Sequence, residues 1–395
     1  MDKKVIVIET VTTGTGFNLF HQNAELDFYL FIKRPEKYHE LKHKQAPPNV
    51  TVITVDTTNE EAIKEKIELL GIRPHAIFSL SDGFIEIACR VAYDFGCVAN
   101  DPELIALCRN KQALRDRLQK MGIKTPEHHL LPAKLTDTYK NYPYIVKPNS
   151  GTGNMGVLIV HDFAELEQCH ARLRPQYSEI LLEELLLGPL ISHEVFVSNG
   201  KVLDLGLTSR VLSDFPYFVE LGCSFPMDIG PNKAEVFQAS KQILEKLGYQ
   251  HGPVHIEYIL TATGPVLVEI NPRLAGGPIG NMLLYCLQEN IYHSICQEYL
   301  TGKGATEFNL QAGHGMAVVS VFATAEGTLA GLELDLAKKY PGVVKIEVLK
   351  VIGDKLALAH DYSGEILRVY ATGKTSEEAY YRALAAKNAV KIQLK

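Results

Sequence analysis

The stretch GPVLVEINPRLAGGPIG, from Gly264 to Gly280, with the strand pattern HIEYIL just before it, constrains this chain more than any other segment. Two short apolar strands, His255 to Leu260 and Pro265 to Ile270, each carry one acid, Glu257 and Glu269, and the turn Thr261-Ala262-Thr263-Gly264 joins them. Such a hairpin brings both acids to one end of a sheet. Asn271 adds a neutral oxygen, Arg273 a fixed cation, and Gly276-Gly277-Pro278 a loop where a ligand can approach the backbone. Carboxylate and amide oxygens suit Mg²⁺, which is usually held by one or two carboxylates plus substrate phosphates. The plain alternative is a solvated hairpin face. Against it, the residues between the acids are apolar, and two like charges in a half-buried sheet repel unless a cation sits between them. The stretch therefore reads as a magnesium–nucleotide site, with Glu257, Glu269 and Asn271 as metal ligands.

A chain of 395 residues with 46% hydrophobic and 22% charged residues suits a globular enzyme of two or three domains. Its formal charge of −6 gives no long-range attraction for nucleic acid or anionic lipid, so neither is expected as a partner. The seven cysteines are odd in number and include no CxxC pair, which suggests neither a disulfide framework nor a zinc site. Met1-Asp2-Lys3-Lys4 leads directly into VIVI with no signal-peptide apolar region, and no later run has the length of a membrane span. A cytoplasmic location is the expectation. His251 and His255 are four apart, but Gly252-Pro253 between them rules out the helix that would align them as metal ligands.

From Val5 to about Asn100, apolar strands (VIVI, DFYLFI, VTVITV, AIFSL) alternate with amphipathic segments at Glu60 to Leu70 and Phe84 to Phe95, the pattern of a small doubly wound α/β domain. A helix is expected from Asp101, as its cap, to Met121, stopped at Gly122. Strands YIVK and VLIV, a helix from Asp162 to about Leu173 and the strand EILLEELL follow. Then come strands near Glu194 and Val202, a helix from about Lys233 to Leu247, the acidic hairpin, and a helix from Leu283 to Leu300. Thr301-Gly302-Lys303-Gly304 reads as a linker. The remainder has strands MAVVSVF, VVKIEVL and RVYAT and a last helix opened by a capping box at Thr375 to Glu378. The expected division is 1–100 as an N-terminal α/β domain, 101–305 as a central domain with a small subdomain at about 122–187, and 306–395 as a C-terminal subdomain.

Ser150-Gly151-Thr152-Gly153-Asn154-Met155-Gly156-Val157 contains a literal GxGxxG. In a dinucleotide fold that motif must open a helix. Here Val157-Leu158-Ile159-Val160 follows, so the loop joins two strands. A glycine hairpin over nucleotide phosphates also occurs in protein kinases, but there the phosphate-binding lysine lies on a later strand. In this chain Lys147 precedes the loop, on YIVK, and no HRD-type loop exists.

The order of these pieces closely resembles the ATP-grasp superfamily of carboxylate–amine ligases, particularly its L-amino acid ligase, dipeptide-forming branch. The residues that carry the resemblance are Asn110-Lys111 with Arg115, MGIKTP at 121–126, YIVKPNSGTGNMGV at 144–157, LLEELLLGP at 181–189, FVELGCSFP at 218–226, and HIEYIL with VLVEINPRLAGG. The resemblance implies an ATP-grasp fold of the mixed α/β, α+β kind, with the N-terminal parallel-sheet domain, central ATP-grasp subdomains and C-terminal α/β subdomain divided as above. It implies that Lys111 and Lys147 neutralise α- and β-phosphates, that the loop residues Ser150, Gly151, Thr152, Gly153 and Gly156 close over the γ-phosphate, and that Glu183, Glu184, Leu185 and Leu186 form the hinge on the adenine edge. Glu257, Glu269 and Asn271 would hold Mg²⁺, with Mn²⁺ as a substitute, and Arg273 would stabilise the phosphoryl group or an acyl phosphate. Arg210, Glu220, Cys223, Arg273, Gly276 and Gly277 would face the substrate.

Two positions depart from the family pattern. Leu190 stands where members often have a ribose-contacting acid, with Glu194 as the candidate replacement, and Cys223 stands where relatives commonly carry His. A catalytic thiol is the sharper reading of Cys223, but no partner base is evident. In isolation Lys111 would be a solvated helix lysine and Arg210 equally a surface residue. The expected activity is ATP-dependent amide formation between an amino-acid carboxylate and an amine, from small-molecule substrates, by a homodimer. The alternatives are an ATP-grasp ligase of another subclass, a carboxylase among them, or a nucleotide-binding protein without turnover.

Overall fold

The computed structural model describes residues 3–12, 14–38, 40–41, 45–151, 155–215, 217–358 and 364–395. Four apolar runs become the parallel strands β1 (Lys4–Ile8), β2 (Asp27–Ile32), β3 (Val50–Thr54) and β4 (Ala76–Phe78), in the order β3-β2-β1-β4. Their lack of a polar face follows from burial on both sides. Val5, Val7, Phe28 and Leu30 pack into one core, and Ile6, Ile8 and Phe31 into another. The second core is closed by Ile63 and Ile67 of α1 (Glu60–Leu69) and Ala88 and Val91 of α2 (Ile85–Asp94). This is the doubly wound α/β arrangement that the alternation led us to expect.

The helix expected from Asp101 to Met121 is two helices. Asp101 caps α3 (Pro102–Arg109), which stops one residue before α4 (Lys111–Lys120) starts. Asn110 between them is extended, at φ −104° and ψ 102°, and its side chain accepts from Ala113 N at 2.9 Å. The break is stabilised from outside the helix. Asn149 Nδ2 donates to Asn110 Oδ1 at 3.1 Å, and Asn149 Oδ1 accepts from Gln112 N at 2.9 Å. The start of α4 is thus fastened to the segment that leads into the glycine loop.

A four-stranded antiparallel sheet follows, built from β5 (His128–Leu130), β6 (Tyr144–Pro148), β7 (Leu158–Val160) and β8 (Ile180–Glu184) in the order β5-β8-β6-β7. Leu166 and Leu173 of α5 (Phe163–Leu173) pack on Val146, Val160 and Leu182. The glycine segment runs from β6 to β7 as expected. Thr152 and Gly153, assigned to the nucleotide, lie outside the described residues.

The largest sheet begins with β9 (Leu190–Ser198), β10 (Lys201–Leu212), β11 (Glu220–Met227), β12 (Gly252–Thr261) and β13 (Gly264–Asn271). Around it lie α6 (Asn232–Leu247), α7 (Ile279–Cys286) and α8 (Ile291–Thr301). The helix expected from Leu283 to Leu300 is therefore also divided. Leu287 turns extended and bridges to Leu310, and Asn290 starts α8 by accepting from Tyr292 N and His293 N.

The last part of the chain holds β14 (Gly315–Phe322), β15 (Gly327–Glu333), β16 (Val343–Val348), β17 (Lys355–Leu356), β18 (Glu365–Gly373), α9 (Ser376–Lys387) and β19 (Lys391–Leu394). Strand pairing crosses the expected boundary at 305/306, because β14 pairs with β11 and the sheet runs β13-β12-β9-β10-β11-β14-β18-β16. A three-stranded sheet, β17-β15-β19, stands beside it. The segment 301–304, read as a linker, is tied down instead. Gly302 caps α8 at φ +70°, and Gly304 N donates to Glu298 at 2.6 Å, where Ser198 and His251 also bind. Among the described residues no helix is long and apolar enough to cross a membrane.

The Asn110 break generates a test. Asn110→Ala removes the cap of α4 and one contact of Asn149, which keeps Glu179 and Gln112 N, so stability should fall by about 1–2 kcal/mol, read as a lower urea midpoint with an unchanged slope. An unshifted midpoint would mean that α4 starts where it does without this side chain.

Candidate active site

Residues of the four-stranded sheet and of β9, β10, β12 and β13 enclose a cavity of about 330 Å³. Lys111, Lys147, Gly151, Glu183 to Leu186, Arg210, Glu257 and Glu269 all line it. Phe215 and Phe218, on the connection between β10 and β11, add an aromatic wall that the sequence did not suggest, with ring centroids 5.6 Å apart.

The hairpin register puts Glu257 of β12 directly opposite Glu269 of β13. Two carboxylates so placed destabilise a sheet unless cations answer them. Repulsion between them does not by itself require a metal, because the protein supplies cations of its own. Lys111 Nζ lies 3.1 Å from Glu269, and Arg210 Nη1 and His255 Nε2 each lie 3.1 Å from Glu257 Oε1. Burial opposes the charge on Glu257, but Arg210 and His255 outweigh it and hold the carboxyl well below its ordinary range.

Behind this pair a row of alternating charges crosses the sheet. Glu220 of β11 accepts from Arg210 Nη2 at 2.6 Å, and Glu194 of β9 accepts from His255 Nδ1 at 2.9 Å. Burial works against a charged His255, yet Glu194 and Glu257 push its pKa up to about 9, which favours an imidazolium donating to both acids over a neutral ring accepting from Arg210 Nη1, 3.1 Å from Nε2. From the sequence, His255 enters only through the metal pairing with His251 that Gly252-Pro253 excludes. The signal that could have found it is the spacing of His255 and Glu257, which alternation places on one face of β12.

The lysines have their own counterions. Lys147 Nζ is 2.5 Å from Glu183 Oε2, and Arg115 Nε is 2.5 Å from Glu183 Oε1. Arg115, only 2% exposed, also donates to Lys111 O and Val268 O. Burial lowers Lys147 to about 8, with Arg115 and Lys111 adding to the effect and Glu183 opposing it. Glu183 is held below its usual value because Lys147 and Arg115 overcome its desolvation. Lys111 sits at the first position of α4, with its ammonium also 3.2 Å from Gly151 O.

Several expected residues are placed elsewhere. Glu194 is 1% exposed and does not line the cavity; Ser192, Thr208 and His255 occupy its carboxylate, so it is no ribose contact in this arrangement. Cys223 is 1% exposed in a hydrophobic core, and burial, with Glu220 nearby, pushes its thiol well up, which suits neither a nucleophile nor a substrate contact. Ser150 is exposed outside the lining, and Gly156 turns at φ +76° against Pro148 and Leu173. Glu220 stands behind Arg210. Asn271 ends β13, buried and off the lining, and Gly276 and Gly277 lie in the following turn. Arg273 also stands off the lining, where Asp82 of the N-terminal domain grips its Nε and Nη2.

The donor set of Glu257, Glu269 and Asn271 is all oxygen, which fits Mg²⁺ or Mn²⁺ and not zinc. Among the described residues no group of three or more His, Cys, Asp and Glu side chains forms a closed cage. An ion held by two carboxylates and completed by phosphates needs none.

With this geometry in hand, residues 108–277 match the ATP-grasp domain family, and residues 320–395 match L-amino acid ligase C-terminal domain 2. The chain carries an ATP-grasp domain and an L-amino acid ligase C-terminal domain, and the ATP-grasp ligases similar to it are enzymes. ATP-grasp ligases use ATP, and Mg²⁺ is generally required in the family. The L-arginine-specific L-amino acid ligase of Bacillus subtilis is 21% identical over 87% of this chain and 86% of its own length. Uncharacterized protein y4rH of Sinorhizobium fredii is 26% identical over 96% of this chain and 80% of its own. Among solved structures, the L-amino acid ligase from Bacillus licheniformis superimposes with a TM-score of 0.84 at 18% identity, covering 100% of this chain and 99% of that one. At that identity the likeness is one of fold, and it extends through the C-terminal sheets.

The ATP-grasp cleft depends on Glu183 for its charge balance. Glu183→Gln leaves Lys147 and Arg115 buried without their carboxylate, so stability should drop by about 3–5 kcal/mol, measured by denaturant unfolding. A loss below about 1 kcal/mol, the scale of an exposed pair, would show that solvent already screens this triad.

Proposed function

We propose that the protein is an ATP-dependent carboxylate–amine ligase that activates the carboxyl group of an amino acid and joins it to an amine, releasing ADP and phosphate. The observation that carries this reading is the meeting of Lys111, Lys147 and the facing pair Glu257 and Glu269 in one cleft. Two primary ammonium groups beside two hard-oxygen acids suit a polyphosphate and its counterion better than any uncharged ligand.

In this reading Lys111 and Lys147 exchange carboxylate partners for phosphate oxygens. Glu257, Glu269 and Asn271 hold Mg²⁺, which when bound neutralises charge on the β- and γ-phosphates. The hinge from Glu183 to Leu186 lies along the base, and the segment from Ser150 to Gly156 covers the phosphates and keeps water from the reacting centre. A carboxylate oxygen attacks the γ-phosphorus and ADP departs. The amine then attacks the acyl carbon, phosphate leaves, and the amine gives up a proton. Arg273 stabilises the transferred phosphoryl group, while Arg210, Gly276 and Gly277 bound the space for the acid. Catalysis by this set is positional and electrostatic, with no covalent enzyme intermediate. The working form is taken to be a cytoplasmic homodimer, a setting consistent with seven unpaired cysteines and checked by light scattering.

The acyl phosphate is testable directly. A carboxylate substrate labelled with ¹⁸O should deliver one label to inorganic phosphate, with ATP converted to ADP. Formation of AMP, or unlabelled phosphate alongside amide, would move the protein to another reaction class.

A second expectation follows from Lys147. Its charge is what a phosphate needs, so kcat/KM for ATP, which reports the free enzyme, should decline with unit slope as pH rises through about 8. Lys147→Arg stays charged throughout and should lose that alkaline limb, whatever its absolute rate. A wild-type profile flat through the same region would remove Lys147 from phosphate binding.

A further inference from the structure

Arg273 and Asp82 are 191 residues apart in sequence and form a two-point contact, with the guanidinium Nε and Nη2 donating to the two carboxylate oxygens. Arg273 Nη1 donates to Leu274 O at 2.9 Å. Three of the five guanidinium donors are therefore engaged, and one N–H on each terminal nitrogen remains. A forked contact of this kind fixes the plane of the group as well as its position. The side chains are 11% and 18% exposed for Arg273 and Asp82, so water competes little for either.

Asp82 is itself held from both sides. It lies between β4 and α2, at the carboxyl edge of the parallel sheet, where Phe84 N and Ile85 N donate to Ser81 O. Ser81 N donates to Ser79 Oγ, which reaches Glu9 O at the end of β1. From the other side Arg109, the last residue of α3, donates to Asp82 O. A carboxylate so anchored does not follow its partner; the partner conforms to it. On the arginine side, Arg273 N donates to Asn271 O at 2.8 Å, which binds the arginine into the turn that ends the acid-bearing strand β13.

We infer that Asp82 is the positioning residue for Arg273: the N-terminal sheet supplies a fixed carboxylate that sets the plane of the guanidinium serving the transferred phosphoryl group. This rests on the role given to Arg273 under the proposed function. It makes the N-terminal domain part of the phosphoryl-transfer centre. Asp82 touches no reacting atom and acts through the arginine alone.

The test needs no knowledge of the amino-acid substrates. The affinity of the full chain for Mg-ADP, with and without aluminium fluoride as a mimic of the transferred phosphoryl group, is measured by titration calorimetry. Asp82→Asn keeps the side-chain shape and removes the charge. It should leave Mg-ADP affinity unchanged and weaken the fluoroaluminate complex by about 10–100-fold, the range for loss of a group that orients a charged ligand. Arg273→Ala should show a loss at least as large, and the double variant should be no weaker than Arg273→Ala alone. Full fluoroaluminate affinity in Asp82→Asn, or losses that add in the double variant, would overturn the inference and leave only a domain-docking ion pair. Normal fluoroaluminate binding by Arg273→Ala would instead remove Arg273 from its proposed role, and the inference with it. Should the amide unseat the domain, Asp82→Glu alone and in the Arg273→Ala background gives the same reading. A carboxylate that acts only through the arginine changes nothing once the arginine is gone, and a change there overturns the inference.

Discussion

Glu257 and Glu269 face each other across β12 and β13, and the surrounding architecture sets a cation against each of them. Cross-strand carboxylates destabilise a sheet by themselves. Here Glu220, Arg210, Glu257, His255 and Glu194 form a row of alternating sign drawn from β11, β10, β12 and β9. The members are largely buried, so deleting one leaves an uncompensated ion and not merely a lost contact. The continuity of the large sheet is what allows this, since only hydrogen-bonded strands hold side chains from four segments in register.

The lysines obey the same rule. Lys111 rests on Glu269 and Lys147 on Glu183, so no ammonium waits unpaired for a phosphate. Under the ligase reading, a nucleotide entering with its metal would offer a double exchange at Lys111 and Glu269, phosphate oxygens for the ammonium and a cation for the released acid, while at Lys147 the released Glu183 would keep Arg115. Neither half is favourable alone, because each would strand a charge in a half-dry cleft. This gives a physical reason for metal and nucleotide to bind together. Arg115 differs from both lysines in being held by two backbone carbonyls as well as by its ion pair with Glu183, which makes it a fixed support beside Lys147.

Much of the fold was legible because apolar alternation and caps are local signals. β1 to β4, the acidic hairpin and the Thr375 cap of α9 all follow from them. The helix breaks were not legible. Asn110 and Asn290 each sit in a segment whose apolar spacing continues on both sides, and each break is fixed by a partner far away, Asn149 in one case and the Leu287–Leu310 bridge in the other. The site divided in the same way. Residue chemistry announced Lys147, Glu257 and Glu269 as candidates, but not which carboxylate each cation would meet. Glu194 and Cys223 are candidates by their places in the family pattern, while their burial is set by the strands on either side of them. Phe215 and Phe218 lie on a connection with no periodicity to read.

The winding of the N-terminal sheet explains why one of its loops reaches the site at all. In the order β3-β2-β1-β4 the chain reverses direction of travel between β1 and β4, and the carboxyl ends of those two strands flank the crevice where open α/β sheets present groups to ligands. Two acids stand there. Glu9, after β1, adopts φ 56° and turns back into its own domain, where Lys33 N, Thr57 and Tyr38 occupy its carboxylate. Asp82, after β4, points the other way and leaves the domain for Arg273. The difference lies in the local backbone: Glu9 is followed by a buried threonine held to Tyr38, whereas Asp82 precedes Gly83, which has open space around it, and a turn closed by Ser81 O. A sheet edge that would otherwise serve a ligand directly is in this way connected, through one carboxylate, to the arginine at the end of the acid-bearing strand.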